Sequence, residues 1–166
     1  MCAKLLILES PGKVKKVQSF LGPDWKVVAS VGHVRDLPVK EMGVAAPDFK
    51  PHYQPTERGA DVLKRLGALA KQADVVYLAT DPDREGEAIA WHVADALKLK
   101  DAKRVTYGEI TESAVKAAVQ SPRAIDMALV AAQEGRRVLD RFCGYLVSGP
   151  LSRAVGTRLS AGRVQS

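Results

Sequence analysis

The segment Asp81-Pro82-Asp83-Arg84-Glu85-Gly86-Glu87 places four carboxylates within seven residues. Held together without a counterion, such acids repel one another and raise one another's pKa values, whereas a hard divalent cation neutralises them and prefers oxygen ligands. Mg²⁺ is the economical choice. Asp81, Asp83 and Glu85, at i, i+2 and i+4, can converge on one point if the chain is extended and then turns into a helix, and Pro82 blocks early helix growth. A competing reading is that these acids only line a solvated helix N-terminus, where negative charge is favourable in any case. A second group, Glu9-Ser10-Pro11-Gly12-Lys13, combines an acid, small residues, helix-N-terminal amides and a lysine, which suits a phosphate. It is not a Walker A loop, which needs a longer glycine-framed sequence ending in Gly-Lys-Ser/Thr.

Each group follows a short apolar run. Leu5-Leu6-Ile7-Leu8 stops at Glu9, and Val75-Val76-Tyr77-Leu78-Ala79 stops just before Asp81, so both read as buried strands entering tight loops. Helices are predicted over about 13–21, 61–72 (Val62, Leu66 and Leu69 at helical spacing) and 85–99, with further strands at 25–31 and 104–107. Thr111 is a good N-cap for a helix reaching about Gln120, while Pro38 to Pro55 holds four prolines, little periodicity and reads as a loop. Strands thus alternate with helices, the pattern of an α/β domain with a largely parallel sheet whose ligands bind beyond the carboxyl ends of the strands. Ser121-Pro122 marks a boundary, dividing residues 1–122 from 123–166. The second part opens on a long helix, about Ile125 to Val147, with Val130, Val138, Phe142 and Leu146 at core spacing, then turns glycine-rich and basic.

The chain of 166 residues is 46% hydrophobic and 27% charged, which permits a packed core and excludes a disordered or fibrous chain. Its two cysteines, Cys2 and Cys143, supply neither a CxxC pair nor a four-sulfur zinc site, and a reducing cytoplasm is the simplest setting. No membrane span or signal peptide is evident. The net charge is +6, and it is unevenly placed: residues 136–166 carry six arginines against Asp140, a net of +5, which leaves +1 for residues 1–135. An anionic partner for the C-terminal part follows as an expectation.

The chain resembles the type IA DNA topoisomerases, most closely bacterial topoisomerase I, through five motifs in the family's order. They are Leu8–Pro11 with Lys13, Ser30–Pro38, Tyr77–His92, Glu109-Ile110-Thr111 and Leu159–Ser166. The resemblance implies a Toprim fold: a Rossmann-like α/β domain with a mostly parallel sheet flanked by helices, followed by the helical start of a second, single-strand-DNA-binding domain. It implies Mg²⁺ at Asp81 and Asp83, with Glu85 contributing directly or through water. Glu9 would be a proton donor or metal ligand beside the leaving 3′ oxygen, and Lys13 would stabilise charge on the scissile phosphate. Arg84 would brace the acids. DNA contacts are implied at His33, at Arg136, Arg137, Asp140 and Arg141 on the long helix, and at Ser160, Gly162, Arg163 and Gln165. From the residues alone, His33 reads equally as a loop histidine bonded to backbone, and the Arg136/Asp140 spacing as a surface ion pair.

The implied activity is relaxation of negatively supercoiled DNA through a transient 5′-phosphotyrosine in one strand, in the cytoplasm at the nucleoid, with single-stranded and negatively supercoiled DNA as partners and no nucleotide cofactor or membrane. The family's tyrosine stands in a Ser/Thr-Tyr-x-Arg context that none of Tyr53, Tyr77, Tyr107 and Tyr145 shares. The expectation is therefore an N-terminal fragment, inactive alone. Gly108 also replaces the polar residue usual before Glu-Ile-Thr. The alternatives are a stand-alone Toprim nuclease or primase using the same acids, and a non-enzymatic DNA-binding module.

Overall fold

The structure is a computed structural model that describes residues 4–157 and 159. In chain order the elements are β1 (Lys4–Leu8), a 3₁₀ turn (Pro11–Lys13), α1 (Val14–Leu21), β2 (Trp25–Ala29), β3 (Arg35–Asp36), β4 (Val44–Ala45), β5 (Lys50–Pro51), β6 (Gln54–Pro55), α2 (Glu57–Ala70), β7 (Val75–Ala79), α3 (Arg84–Ala96), β8 (Lys103–Arg104), α4 (Glu112–Gln120) and α5 (Met127–Val155). The chain divides into two compact units. One takes the chain up to Asp36 together with Pro55–Val130, and the other takes Leu37–Gln54 together with the chain from Ala131 onward.

The first unit is built on a four-stranded sheet in the order β2-β1-β7-β8, and every adjacent pair is parallel. Parallel strands are covered on both faces by their crossover helices, so β1 can be apolar at successive positions. Its side chains alternate: Leu5 and Ile7 join Val76, Leu78, Leu66, Ala90 and Val93 on one face, while Leu6 and Leu8 join Val27, Ala79, Val17 and Val115 on the other. All four β1 leucine and isoleucine positions are at most 1% exposed. Because Leu8 pairs with Ala29 on one side and Ala79 on the other, the carboxyl ends of β1 and β7 lie next to each other. The α/β expectation is met, and the register explains why the two motifs meet: Glu9 and Asp81 leave adjacent strands at the same end of the sheet.

The helices start where side chains satisfy their free amides. Thr56, Asp83 and Thr111 cap α2, α3 and α4, accepting from the amides of Gly59, Gly86 and Ala114 respectively. Helix α2 therefore begins at Glu57, four residues before its predicted start, and β8 is shorter than predicted and ends at Arg104.

In the second unit, Val44–Ala45 and Lys50–Pro51 form an antiparallel pair inside the segment predicted to be loop. Helix α5 also runs past its predicted end, through Pro150 to Val155. Val130, on the part of α5 that belongs to the first unit, is fully buried. In the second unit Phe142 packs edge-on against Phe49, with ring centroids 5.7 Å apart. Leu146, expected in a core, is instead 61% exposed, because it falls on a face of α5 shared with exposed Leu139.

Candidate active site at the strand ends

After β1 the chain passes Glu9 and closes the 3₁₀ turn Pro11–Lys13, which swings the Lys13 side chain toward the end of β7. There Lys13 Nζ donates to Asp81 Oδ1 at 2.7 Å. Both partners are partly exposed, so the pair is worth little to stability and is readily opened. Glu9 carries the electrostatic signature of the cluster. Burial pushes its carboxyl above the ordinary range, the negative charge of Asp81, then Asp83 and Glu85, pushes it further, and a hydrogen bond to the Asp81 backbone draws it part of the way back. A carboxyl in that field favours a proton or a nearby cation.

The loop from Thr80 to Gly86 is held from within. Asp83 Oδ1 accepts from the Gly86 amide at 2.7 Å, and Thr80 Oγ1 donates to the Gly86 carbonyl at 2.5 Å. A Cβ at Gly86 would collide with the Asp81 carbonyl oxygen, so only glycine permits this close return of the chain. One Asp83 oxygen is thus used as a helix cap. Glu85 is exposed and lies 3.8 Å from His33 Nδ1, which places His33 at the acidic cluster.

Glu87 parts company with the other three acids. It is fully buried and accepts from Arg104 Nε (2.9 Å), from both terminal nitrogens of Arg123 (2.8 and 2.9 Å) and from the Asp126 amide (2.6 Å). Burial alone would raise its pKa, but the hydrogen bonds from Arg123 and Asp126 and the charge of Arg104 outweigh that and hold it at about 2. Among the described residues, no three His, Cys, Asp or Glu side chains form a ready-made metal cage.

Sequence reasoning missed Arg104. Its side chain is 0% exposed, and it donates to the carbonyls of Leu78 (3.2 Å), Thr80 (2.9 Å), Val105 (2.6 Å) and Asp81 (2.8 Å) as well as to Glu87. It fixes the backbone from which Asp81 projects. The bracing expected of Arg84 falls to Arg104 instead, and Arg84 enters no hydrogen bond or ion pair among the described residues. A signal was available: an arginine inside a buried strand must find an acid, and Glu87 stands on an otherwise apolar stretch of α3.

Beside Lys13 and Asp81 opens a pocket of about 440 Å³, one wall formed by Asp81–Asp83 and the other by Tyr107–Ile110. The Tyr107 phenol is pushed up to about 12, first by burial and then by the Asp81 carboxylate.

In the second unit, the Arg141 guanidinium donates to the carbonyls of Pro38 (2.8 Å), Glu41 (3.3 Å) and Leu37 (3.4 Å) and lies over the Tyr145 ring, while Tyr145 donates to the Val39 carbonyl. Arg136 and Arg137 are exposed and Asp140 is half-buried. Arg136 makes no ion pair among the described residues, so its spacing from Asp140 is not used for one. The expected DNA contacts Ser160, Gly162, Arg163 and Gln165 lie outside the described residues.

A parallel sheet with an acidic cluster at its carboxyl end, joined by Glu9 and Lys13 from the neighbouring strand, defines a class, and residues 4–112 match the Toprim domain family. The chain belongs to that family. It is 66% identical over 163 residues to a plasmid DNA topoisomerase I of Xylella fastidiosa (strain 9a5c), a match covering 98% of this chain and 25% of that protein. It also superposes on full-length topoisomerase I from Thermotoga maritima with a TM-score of 0.86 and 42% identity, over 97% of this chain and 28% of that one. The resemblance to topoisomerase I drawn from the five motifs is borne out, and the chain spans about a quarter of the length of these relatives.

Proposed function

We propose that this chain is the metal-binding, N-terminal part of a type IA DNA topoisomerase, which relaxes negatively supercoiled DNA at the nucleoid by cleaving one strand through a 5′-phosphotyrosine. The observation that carries this reading is the meeting of Lys13, Asp81 and a Glu9 carboxyl raised by the surrounding acids at two adjacent strand ends.

The donor set fits Mg²⁺. All candidate ligands are carboxylate oxygens, and Mg²⁺ is ordinarily held by one or two carboxylates with waters and substrate phosphate completing its shell, so a closed protein cage is not required. Asp81, the uncapped oxygen of Asp83, and Glu85 directly or through water would hold it, with Glu9 close by. Bound there, the ion would offset the charge of the acids and of the phosphodiester. Glu9, its carboxyl raised by burial and by the neighbouring acids, would give a proton to the departing 3′ oxygen and take it back when the strand is resealed. Lys13, released from its weak pairing with Asp81, would meet the charge on the scissile phosphate. His33, Arg136, Arg137 and Arg141, with Ser160, Gly162, Arg163 and Gln165, would contact single-stranded DNA, and Asp140 would orient an arginine of that group. Arg141 would do so in exchange for its bonds to the 37–41 backbone.

The nucleophile would come from outside these 166 residues. Tyr77 packs against Trp25 with ring centroids 4.9 Å apart, Tyr107 is held protonated, and Tyr145 is bonded to Val39. No helix among the described residues is long and apolar enough to cross a membrane.

Two measurements test the reading. Mg²⁺ titration followed by calorimetry should give binding that is lost in the Asp81→Asn/Asp83→Asn double variant. The purified chain, free of longer enzyme, should leave supercoiled plasmid unrelaxed. Conversion of the plasmid into topoisomers by this chain alone would overturn the fragment reading, and metal-dependent cutting that survives replacement of every tyrosine would favour a nuclease.

A further inference from the structure

From the motif Ser30–Pro38, His33 reaches the acidic cluster at the end of a conformationally costly turn. Val31 and Gly32 both adopt left-handed backbone angles, φ 61° and 81°, and a β-branched residue stays there only when its surroundings fix it. Backbone bonds fasten the turn to the end of β1: the Ser30 and Gly32 amides donate to the carbonyls of Leu8 (2.8 Å) and Glu9 (3.3 Å). Beyond the turn, the start of α2 grips the chain. The Thr56 amide donates to the Val34 carbonyl at 3.1 Å and the Thr56 hydroxyl to the His33 carbonyl at 3.4 Å. Gly59 packs so closely on the Val34 carbonyl that a Cβ there would collide with it.

These contacts hold the backbone of residues 30–34, and Arg35 ties the segment sideways to α3. Its side chain, 14% exposed, makes three contacts on that helix. Nη1 pairs with Asp95 at 2.7 Å, Nη2 donates to His92 Nδ1 at 3.2 Å, and the guanidinium lies 5.4 Å from the centre of the Trp91 ring. His92 is buried with its pKa lowered to about 4, so at neutral pH its Nδ1 is free to accept. The forked guanidinium serves two such partners from two nitrogens, which a single ammonium does not. Glu85 stands in the first turn of the same helix, seven residues before His92 and ten before Asp95. His33 and Arg35, two residues apart, therefore both lie against α3, one at its start and the other two to three turns further on.

We propose that Arg35 is a positioning residue: by anchoring its segment to α3 it holds the His33 imidazole facing Glu85, in place to meet the DNA strand. The proposal rests on the reading that His33 contacts DNA, and it adds what places the ring.

The test compares the 166-residue chain with Arg35→Met, His33→Ala, the two combined, and Gln18→Leu. The last removes the side-chain hydrogen bonds of Gln18 to the backbone of Gly22, Trp25 and Val27, and so controls for a general loss of stability. Nuclear Overhauser contacts between the His33 ring and the Glu85 side chain should be present in the parent and in Gln18→Leu, and lost in Arg35→Met. Binding of a fluorescent single-stranded oligothymidylate should weaken about fivefold in His33→Ala and in Arg35→Met, the scale of one lost hydrogen bond, and no further in the combined variant. The proposal is overturned if the parent lacks the His33–Glu85 contact, if Arg35→Met keeps it, or if the two substitutions weaken binding multiplicatively. Should Arg35→Met fail to fold, Arg35→Lys takes its place with the same outcomes, since one ammonium cannot fill both positions of the fork. If His33→Ala binds the oligonucleotide as the parent does, the DNA-contact reading of His33 falls, and the ring-to-Glu85 contact alone decides whether Arg35 places it.

Discussion

Replacing Glu87 by glutamine removes the countercharge from Arg104, whose side chain is 0% exposed, and its consequence can be worked out in two independent ways. The carboxyl sits at about 2 in the folded chain against an ordinary 4.5, which by linkage corresponds to about 3 kcal/mol of stability at neutral pH. Breaking a buried ion pair by removing one partner typically costs about 3–5 kcal/mol, in agreement. Against a total stability of roughly 5–15 kcal/mol this is a large fraction, equivalent to a fall in Tm on the order of 10 °C. Because the folded pKa is depressed, the contribution is complete above the unfolded value near 4.5 and is lost as pH falls toward about 2. Urea unfolding of both proteins, followed by circular dichroism, should therefore give a difference of about 3 kcal/mol at pH 7 that shrinks by about 2 kcal/mol at pH 3. A difference below 1 kcal/mol at pH 7, or one of constant size across the acid range, would refute the assignment of Glu87 as the charge partner of Arg104. Glu87→Leu combined with Arg104→Met should be less damaging than either single change, since it leaves no buried charge unpaired.

His92 gives a second acid sensitivity in a different window. It is 4% exposed and its pKa is lowered to about 4 by burial, then by Arg35, 3.2 Å away, and His33, so the folded chain resists its protonation. Stability should fall by about 3 kcal/mol between pH 6.5 and 4, and a His92→Gln variant should lack this phase in the same unfolding series. Asp83→Asn should keep the α3 cap and its stability while weakening Mg²⁺ binding, whereas Asp83→Ala should also lose about 1 kcal/mol of stability. Paired calorimetry and unfolding separate the two effects. Arg136→Gln with Arg137→Gln should weaken single-stranded DNA binding and reduce its log-log salt slope by about 1.4, with Mg²⁺ affinity unchanged. An unaltered slope would remove both arginines from the DNA surface.

The strands were readable because β1 and β7 are buried on both faces, which requires unbroken apolar runs, and their ends pointed directly at Glu9 and Asp81. The cap of α4 was readable for a similarly local reason, Thr111 accepting from the amide of Ala114. Helix α2 starts before the apolar spacing of Val62, Leu66 and Leu69 because its first turn carries Gly59, a weak helix former. The glycine is there for a tertiary reason, since a Cβ would strike the Val34 carbonyl oxygen. Glu85 and Glu87 are the same residue type two positions apart, yet one is exposed and the other buried. Only the rotation of α3 against the sheet decides between them. Arg104 was illegible as a support for Asp81 because its partners are carbonyls at the end of a different strand, and backbone acceptors leave no trace in composition.

The raised carboxyl of Glu9 bears on how such a domain evolves. An acid whose pKa is raised by folding makes the native state less stable at neutral pH than a neutral residue would, so Glu9 is a thermodynamic burden on the fold. Glu87 and Arg104 have the opposite character, since each neutralises the other's buried charge and losing either one costs stability. A lineage selected only to stay folded would retain the buried pair and drift away from glutamate at position 9. Under the role proposed for Glu9, glutamate at that position serves chemistry against the interest of stability.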